Sequence, residues 1–139
     1  MKFIVDASVA VKWYLAETDS DIAHRILLGG HDFIAPDLFL VELANALYKA
    51  WLNGAIDDVH TEMALGHIPQ NIRAFFPVTD LVADAVVISR ILRHSVYDCV
   101  YLALAWQTGA KIVTADERFF DAARAMSWEM FLVHLHDAV

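Results

Sequence analysis

The chain is short of the residues that cross-link or interrupt a fold. It has one cysteine, Cys99, so no internal disulfide can form, and that count suits a reducing compartment. Only three prolines and five glycines are present; Gly29-Gly30, Asn53-Gly54, Gly109 and the prolines mark turns and breaks, and no repeat, low-complexity tract or linker is found. No apolar run approaches the ~18 residues of a membrane span; the run from Cys99 to Trp106 ends after eight. The run Phe3-Ile4-Val5 stops at Asp6, too short for the apolar core of a secretory signal, so a cytoplasmic protein with no membrane partner is expected. Positive charge is also scarce. Ten Lys and Arg stand against eighteen Asp and Glu, a net charge of −8. The isoelectric point is near 5.1, whereas a generally basic nucleic-acid binder usually exceeds ~9. Any nucleic acid would have to be held by a local basic patch or by metal ions. Neither a G-x-G-x-x-G nor a P-loop is present, so a nucleotide cofactor has no support.

Apolar residues, by contrast, are abundant at 58%, above the usual ~45–50%. That excludes intrinsic disorder. The length predicts one domain, residues 1–139, and the apolar surplus points to a homodimer or a partner protein.

Short apolar runs alternate with helical periods. Strands are predicted at Lys2 to Val5, Phe33 to Ala35, Phe75 to Val78, Lys111 to Val113 and Met130 to Val133. Helices are predicted from Ala7 to Ala16, from the capping box Thr18-Asp19-Ser20-Asp21 to Leu28, and from a cap at Asp37 to Leu52. Others run from Ala55 to Gly66, Asp80 to Leu92, Val96 to Thr108 after Ser95, and Asp116 to Ala125. This order argues for an α/β domain with a mainly parallel central sheet of about five short strands and helices on both faces. In such sheets ligands bind beyond the carboxyl ends of the strands.

Four acids sit where charge is expensive. Asp6 ends the first strand, Glu42 interrupts Leu38-Phe39-Leu40-Val41-Glu42-Leu43-Ala44, Asp98 opens a nearly all-apolar helix, and Asp116 follows Lys111-Ile112-Val113. An unpaired buried carboxylate costs several kcal/mol, roughly, so each needs a reason. Structural reasons exist. Asp6 can N-cap the first helix and Ser95-x-x-Asp98 is a formal capping box; Thr114-x-x-Glu117 is another, but it leaves Asp116 unexplained. Glu42 shares a helix face with Leu38, Asn45, Ala46 and Lys49 and has no such excuse. If the four converge, they need a counter-charge. An all-oxygen set with no His or Cys favours Mg²⁺ or Mn²⁺ over Zn²⁺, and the matching chemistry is phosphodiester hydrolysis.

These segments resemble a known family. Val5-Asp6-Ala7-Ser8-Val9-Ala10-Val11-Lys12-Trp13 is similar to the opening motif of PIN-domain proteins, and more narrowly of VapC-type toxin ribonucleases of toxin–antitoxin pairs. Pro36 to Leu47, Tyr97 to Ala105 and Val113 to Phe119 resemble the second, third and fourth acidic segments, in order. The resemblance implies a metal-dependent endoribonuclease whose acidic residues match Asp6, Glu42, Asp98 and Asp116. It also implies an RNA substrate, often tRNA or rRNA, a cognate antitoxin bound across the site, and a homodimer. Ser8, Asn45 and Thr114 match polar positions around the family's metal site and are expected to hold water or the ligands themselves. A PIN nuclease of this length could instead serve RNA processing.

Other candidates are weaker. Lys12, Lys49 and Arg118, with Arg90 and Arg93, are candidate phosphate contacts, though each also suits a solvated side chain. Asp121, five residues past Asp116, fits a solvated helix face better than a ligand. His134-Leu135-His136 lacks a third metal ligand in sequence, and the remaining histidines, His94 among them, show no ligand spacing. Cys99 reads as a small core hydrophobe, and the tryptophans as mostly core. Two rivals remain. In a phosphatase of the haloacid-dehalogenase type, Asp6 would need an acid two residues on, where Ser8 stands. In a non-enzymatic α/β protein-binding module, the acids would merely cap helices or pair with Lys12, Lys49 or Arg118.

Overall fold

The computed structural model describes residues 1–139. Five parallel strands form one sheet: β1 (Lys2–Val5), β2 (Asp32–Pro36), β3 (Ile72–Phe76), β4 (Lys111–Thr114) and β5 (Leu132–His134). Their order across the sheet is β3-β2-β1-β4-β5. β1 lies at the centre, with Phe3 opposite Phe33 on one side and Lys111 on the other. The helices are α1 (Ala7–Ala10), α2 (Ser20–Leu28), α3 (Leu38–Leu52), α4 (Asp58–His67), α5 (Val82–Leu92), α6 (Val96–Thr108) and α7 (Glu117–Ala125).

Strand alternation divides the core in two. Phe3, Val5, Phe33, Ala35 and Val113 point to one face, where they pack with Val9, Ile26, Phe39, Leu43 and Leu47 of the first three helices. Ile4, Ile34, Ile112 and Leu132 point to the other, against Ile88, Leu102, Leu104 and Phe119 of the last three. Both faces of the sheet are therefore covered, which explains the nearly continuous apolar strands. α6 is buried from Cys99 to Ala105 because it lies between the sheet and α5. It ends at Gly109, whose φ of 74° is cheap only for glycine.

The chain runs outward from β1 to β2 and β3, then returns to lay β4 and β5 on the other side of β1. Strand order thus reverses between β1 and β4. That reversal opens a crevice beyond their carboxyl ends, where residues 6 and 114–116 emerge.

Several boundaries differ from the sequence expectation for identifiable reasons. The first helix ends as an α-helix at Ala10 and tightens into a 3-10 turn over Val11–Trp13. This turns Trp13 inward, where its indole N–H donates to the Ala23 carbonyl at 3.2 Å. The capping box at Thr18 does not form. Asp19 holds the cap position with φ of 66°, and the Ser20 hydroxyl instead donates to the Leu15 carbonyl. α4 starts at Asp58 because Asp57 caps it, accepting from the His60 N–H at 2.8 Å. Asp37 does not cap α3; its carboxylate accepts from the Val78 N–H. β3 lies three residues earlier than expected. It is an edge strand with Arg73 and Ala74 exposed, so its apolar pattern is weak, and Pro77 cannot continue the ladder. β5 begins at Leu132, after a 3-10 turn over Glu129–Phe131. Of the tryptophans, Trp13 is core, whereas Trp51 and Trp106 are exposed.

The Ser95 hydroxyl does cap α6, accepting from the Tyr97 N–H at 3.2 Å. Ser95→Ala is expected to cost about 1 kcal/mol, read as a lower urea midpoint with an unchanged slope.

Candidate active site

Asp6, Ser8, Glu42, Asn45, Lys49, Asp98 and Asp116 line one cleft of about 270 Å³ at the β1/β4 crevice. Each carboxylate arrives on a different element. Asp6 follows β1, and its N–H extends the β1/β4 ladder to the Val113 carbonyl at 3.1 Å. Glu42, Asn45, Ala46 and Lys49 are spaced at i, i+3, i+4 and i+7 along α3, which puts them on one stripe beside the buried stripe Phe39, Leu43 and Leu47. Asp98 lies in the first turn of α6. Asp116 caps α7, its Oδ1 accepting from the N–H groups of Arg118 and Phe119 at 3.0 and 3.1 Å.

The carboxylates are held largely through one oxygen each. Asp6 Oδ2 accepts from the Ser8 hydroxyl at 3.0 Å and the Thr114 hydroxyl at 2.8 Å, leaving Oδ1 free. Those hydroxyls are themselves fixed. Ser8 Oγ accepts from the Ala115 N–H, and Thr114 Oγ1 from the Asp116 N–H. Asp98 Oδ2 meets His94 Nε2 at 2.6 Å, leaving Oδ1 free. Asp116 spends Oδ1 on its cap. Glu42 Oε1 is buried with no closed hydrogen bond, and so is the hydroxyl of the neighbouring Tyr101.

The electrostatics match this crowding. Burial first, then the charges of Asp98 and Asp116, push Asp6 up to about 6, although Thr114 and Ser8 work the other way. Burial also raises Glu42 to about 7, opposed by the Tyr101 hydroxyl and helped by Asp6 and Asp98. Burial raises Asp98 as well, with His94 opposing. Tyr101 is pushed well above its ordinary value by burial and by the charges of Asp6 and Glu42. None of the four acids has a lysine or arginine ion pair: Lys12 pairs with Glu17, and Arg73 with Asp32. The protein-binding alternative required such pairs or plain helix caps. Asp116 is a cap, but Asp6 accepts no cap bond and Asp98 turns to His94.

The residues fit a hard divalent cation. Four carboxylates line the cleft with the Ser8 hydroxyl, the Asn45 amide and the Lys49 ammonium, and no thiolate or imidazole does. No three of these groups are drawn to mutual ligand distance. So open a set suits an ion that keeps several waters and substrate oxygens better than a closed protein cage.

Of the candidate phosphate contacts, Lys49 lines the cleft and Lys12, Arg118, Arg90 and Arg93 do not. The Lys12 ammonium is held outside it by Glu17 at 3.1 Å and the Thr18 carbonyl at 2.8 Å. Asp121 is exposed on α7, away from the cleft. His134 and His136 pair instead with Glu117 and Asp19. The sequence reading missed Tyr101 and His94. A tyrosine inside an otherwise aliphatic buried helix is a signal for the first, because its hydroxyl needs a polar neighbour. The i, i+4 spacing of His94 and Asp98 is a signal for the second.

A parallel sheet with both faces covered and an acidic crevice at its point of strand reversal define the class: an α/β protein with a carboxylate-lined cleft. The chain belongs to the PIN-domain family, whose model matches residues 3–125. It is similar to Ribonuclease VapC3 of Pyrobaculum aerophilum, 28% identical over 130 residues, covering 91% of this chain and 98% of the relative. Ribonuclease VapC1 of Mycobacterium tuberculosis is 31% identical over 132 residues, covering 94% of this chain and 96% of the relative. The crystal structure of PAE2754 from Pyrobaculum aerophilum superposes with a TM-score of 0.68 at 19% identity, over 98% of this chain and 90% of that one. That last likeness speaks for the fold alone.

Proposed function

We propose that this protein is a VapC-type endoribonuclease, the toxin of a toxin–antitoxin pair, and that Asp6, Glu42, Asp98 and Asp116 hold Mg²⁺ or Mn²⁺ at its active site. One observation carries the reading. Four carboxylates from four separate segments line one cleft without a single lysine or arginine pair among them. The names of the VapC relatives support the ribonuclease activity and the toxin role. Bound there, the ion would supply a nucleophilic hydroxide and offset charge on the transferring phosphoryl group.

The rest of the chemistry belongs to the chain. Asp6 is fixed by Ser8 and Thr114, so its free oxygen is aimed without reorganisation. Glu42, whose Oε1 is buried without a hydrogen-bond partner, would face the ion and its water. Asn45 orients that water, and Lys49 meets a phosphate beside the scissile bond. RNA binding is local rather than general, because the net charge of −8 repels the polymer elsewhere.

No helix is long and apolar enough to cross a membrane, and we place the protein in the cytoplasm with tRNA or rRNA as substrate. The antitoxin covers the acidic cleft. A second copy of the chain covers an apolar groove formed by Val87, Ile91, Trp106 and Trp128 on α5 and α6 and beyond α7.

Incubation with pooled tRNA and rRNA tests the activity. Cleavage is expected with Mn²⁺, is expected to stop with EDTA, and is expected to be lost in Asp98→Asn. Cleavage that persists undiminished in that variant would overturn the assignment of the site.

A further inference from the structure

The turn between α5 and α6 delivers a side chain whose position matters to two of the four carboxylates. Arg93 closes α5 with φ of 53° and ψ of 43°, a left-handed conformation that glycine or asparagine would adopt more cheaply. The next residue, His94, is thereby set under the first turn of α6. Its Nε2 reaches Asp98 Oδ2 at 2.6 Å. Its ring lies nearly parallel to Phe119, with centroids 5.6 Å apart and an angle of 11°. The Phe119 N–H in turn donates to Asp116 Oδ1 at 3.1 Å. His94 therefore touches one site carboxylate directly and braces the residue that anchors another. Its side chain is four-fifths buried, so few alternative rotamers compete with this one.

We infer that His94 is a positioning residue for the carboxylate site. Its Nε2–H holds Asp98 Oδ2 and leaves Oδ1 to the cleft, while its ring only packs against Phe119. A residue of this kind acts through the ligand it orients, and loss of such a partner typically weakens metal binding about 10–100-fold.

This inference rests on the metal-dependent reading, and one titration separates the two. Mn²⁺ affinity is measured calorimetrically for the parent chain, His94→Phe and His94→Gln, together with the metal-free melting temperature of each. Phenylalanine keeps the stack and deletes the donor. Glutamine keeps a donor of similar reach and deletes the ring. His94→Phe is expected to bind Mn²⁺ at least 10-fold more weakly while melting within a few degrees of the parent, on the order expected for a preserved core. His94→Gln is expected to recover most of that affinity. Phenylalanine binding as tightly as the parent overturns the role of the donor, and so does glutamine losing as much as phenylalanine. If His94→Phe does not fold, His94→Ala is judged by the same criterion. A parent chain with no saturable Mn²⁺ binding overturns the metal reading itself, and this inference with it.

Discussion

Asp6→Asn is expected to remove RNA cleavage by about 10²–10⁴-fold, the loss typical of one preorganised catalytic group, and yet to stabilise the metal-free protein at pH 8. The two effects share a cause. Asp6 is 7% exposed and hydrogen-bonded by Ser8 and Thr114, but burial and the nearby Asp98 and Asp116 raise it to about 6. At pH 8 the folded chain must ionise a group that it would keep protonated at pH 5. A shift from 3.8 to about 6 corresponds to about 3 kcal/mol of native-state penalty at high pH. Asparagine keeps an acceptor for both hydroxyls and removes the charge. The sign follows from linkage. The native pKa lies above the unfolded one, so the associated stability is complete below about 3.8 and is lost as pH rises through about 6. Thermal melts at pH 4 and pH 8 check it: parent and variant should converge at pH 4 and separate at pH 8, with the variant higher. A variant that melts lower at pH 8 would make Asp6 a structural anchor instead of a strained site residue.

Mn²⁺ is expected to reverse the pH trend of the parent. Without metal, stability should fall from about pH 4 to about pH 7, because the unfolded chain releases the Asp6 and Glu42 protons near 3.8 and 4.5 whereas the folded chain holds them to about 6 and 7. Glu42 is only partly buried, so solvent screens its share. With metal the same deprotonation creates the ligands. At 100-fold over its dissociation constant at pH 8, Mn²⁺ should add about 2.7 kcal/mol, and the gain should shrink toward pH 5. Calorimetric melts across that range, with Mn²⁺ or EDTA, read both slopes. A gain equal at pH 5 and pH 8 would place binding on groups other than Asp6 and Glu42.

The site was legible in the sequence wherever a residue violated its local context. Glu42 in the middle of Phe39, Leu43 and Leu47 is an example: no local pairing accounts for it, and the chain tolerates its burial only because the cleft lies beside that stripe. Asp116 was harder. The sequence suggested Thr114 as the cap, but in the structure Asp116 caps α7 and Thr114 holds Asp6. Both roles use a hydroxyl or a carboxylate within two residues of a helix start, so spacing alone does not separate them. Lys12 illustrates the converse. It lies in the opening motif but is turned away by Glu17 and Thr18, partners that depend on the course of the chain after the 3-10 turn at Val11.

The sequence by itself determined the alternation of elements, the parallel sheet and the residue types of the site. Strand and helix periods are local, and an acid stranded in an apolar run is conspicuous without coordinates. Only the tertiary structure decided that β4 lies beside β1 and not beside β3, which brings Asp6 and Asp116 to one crevice across more than a hundred residues. It also decided which oxygen of each carboxylate is free, and that His94 and Tyr101 belong beside Asp98 and Glu42. Those outcomes depend on long-range packing, where a side chain's partner is set by which faces of the sheet and helices meet and not by its neighbours in the chain.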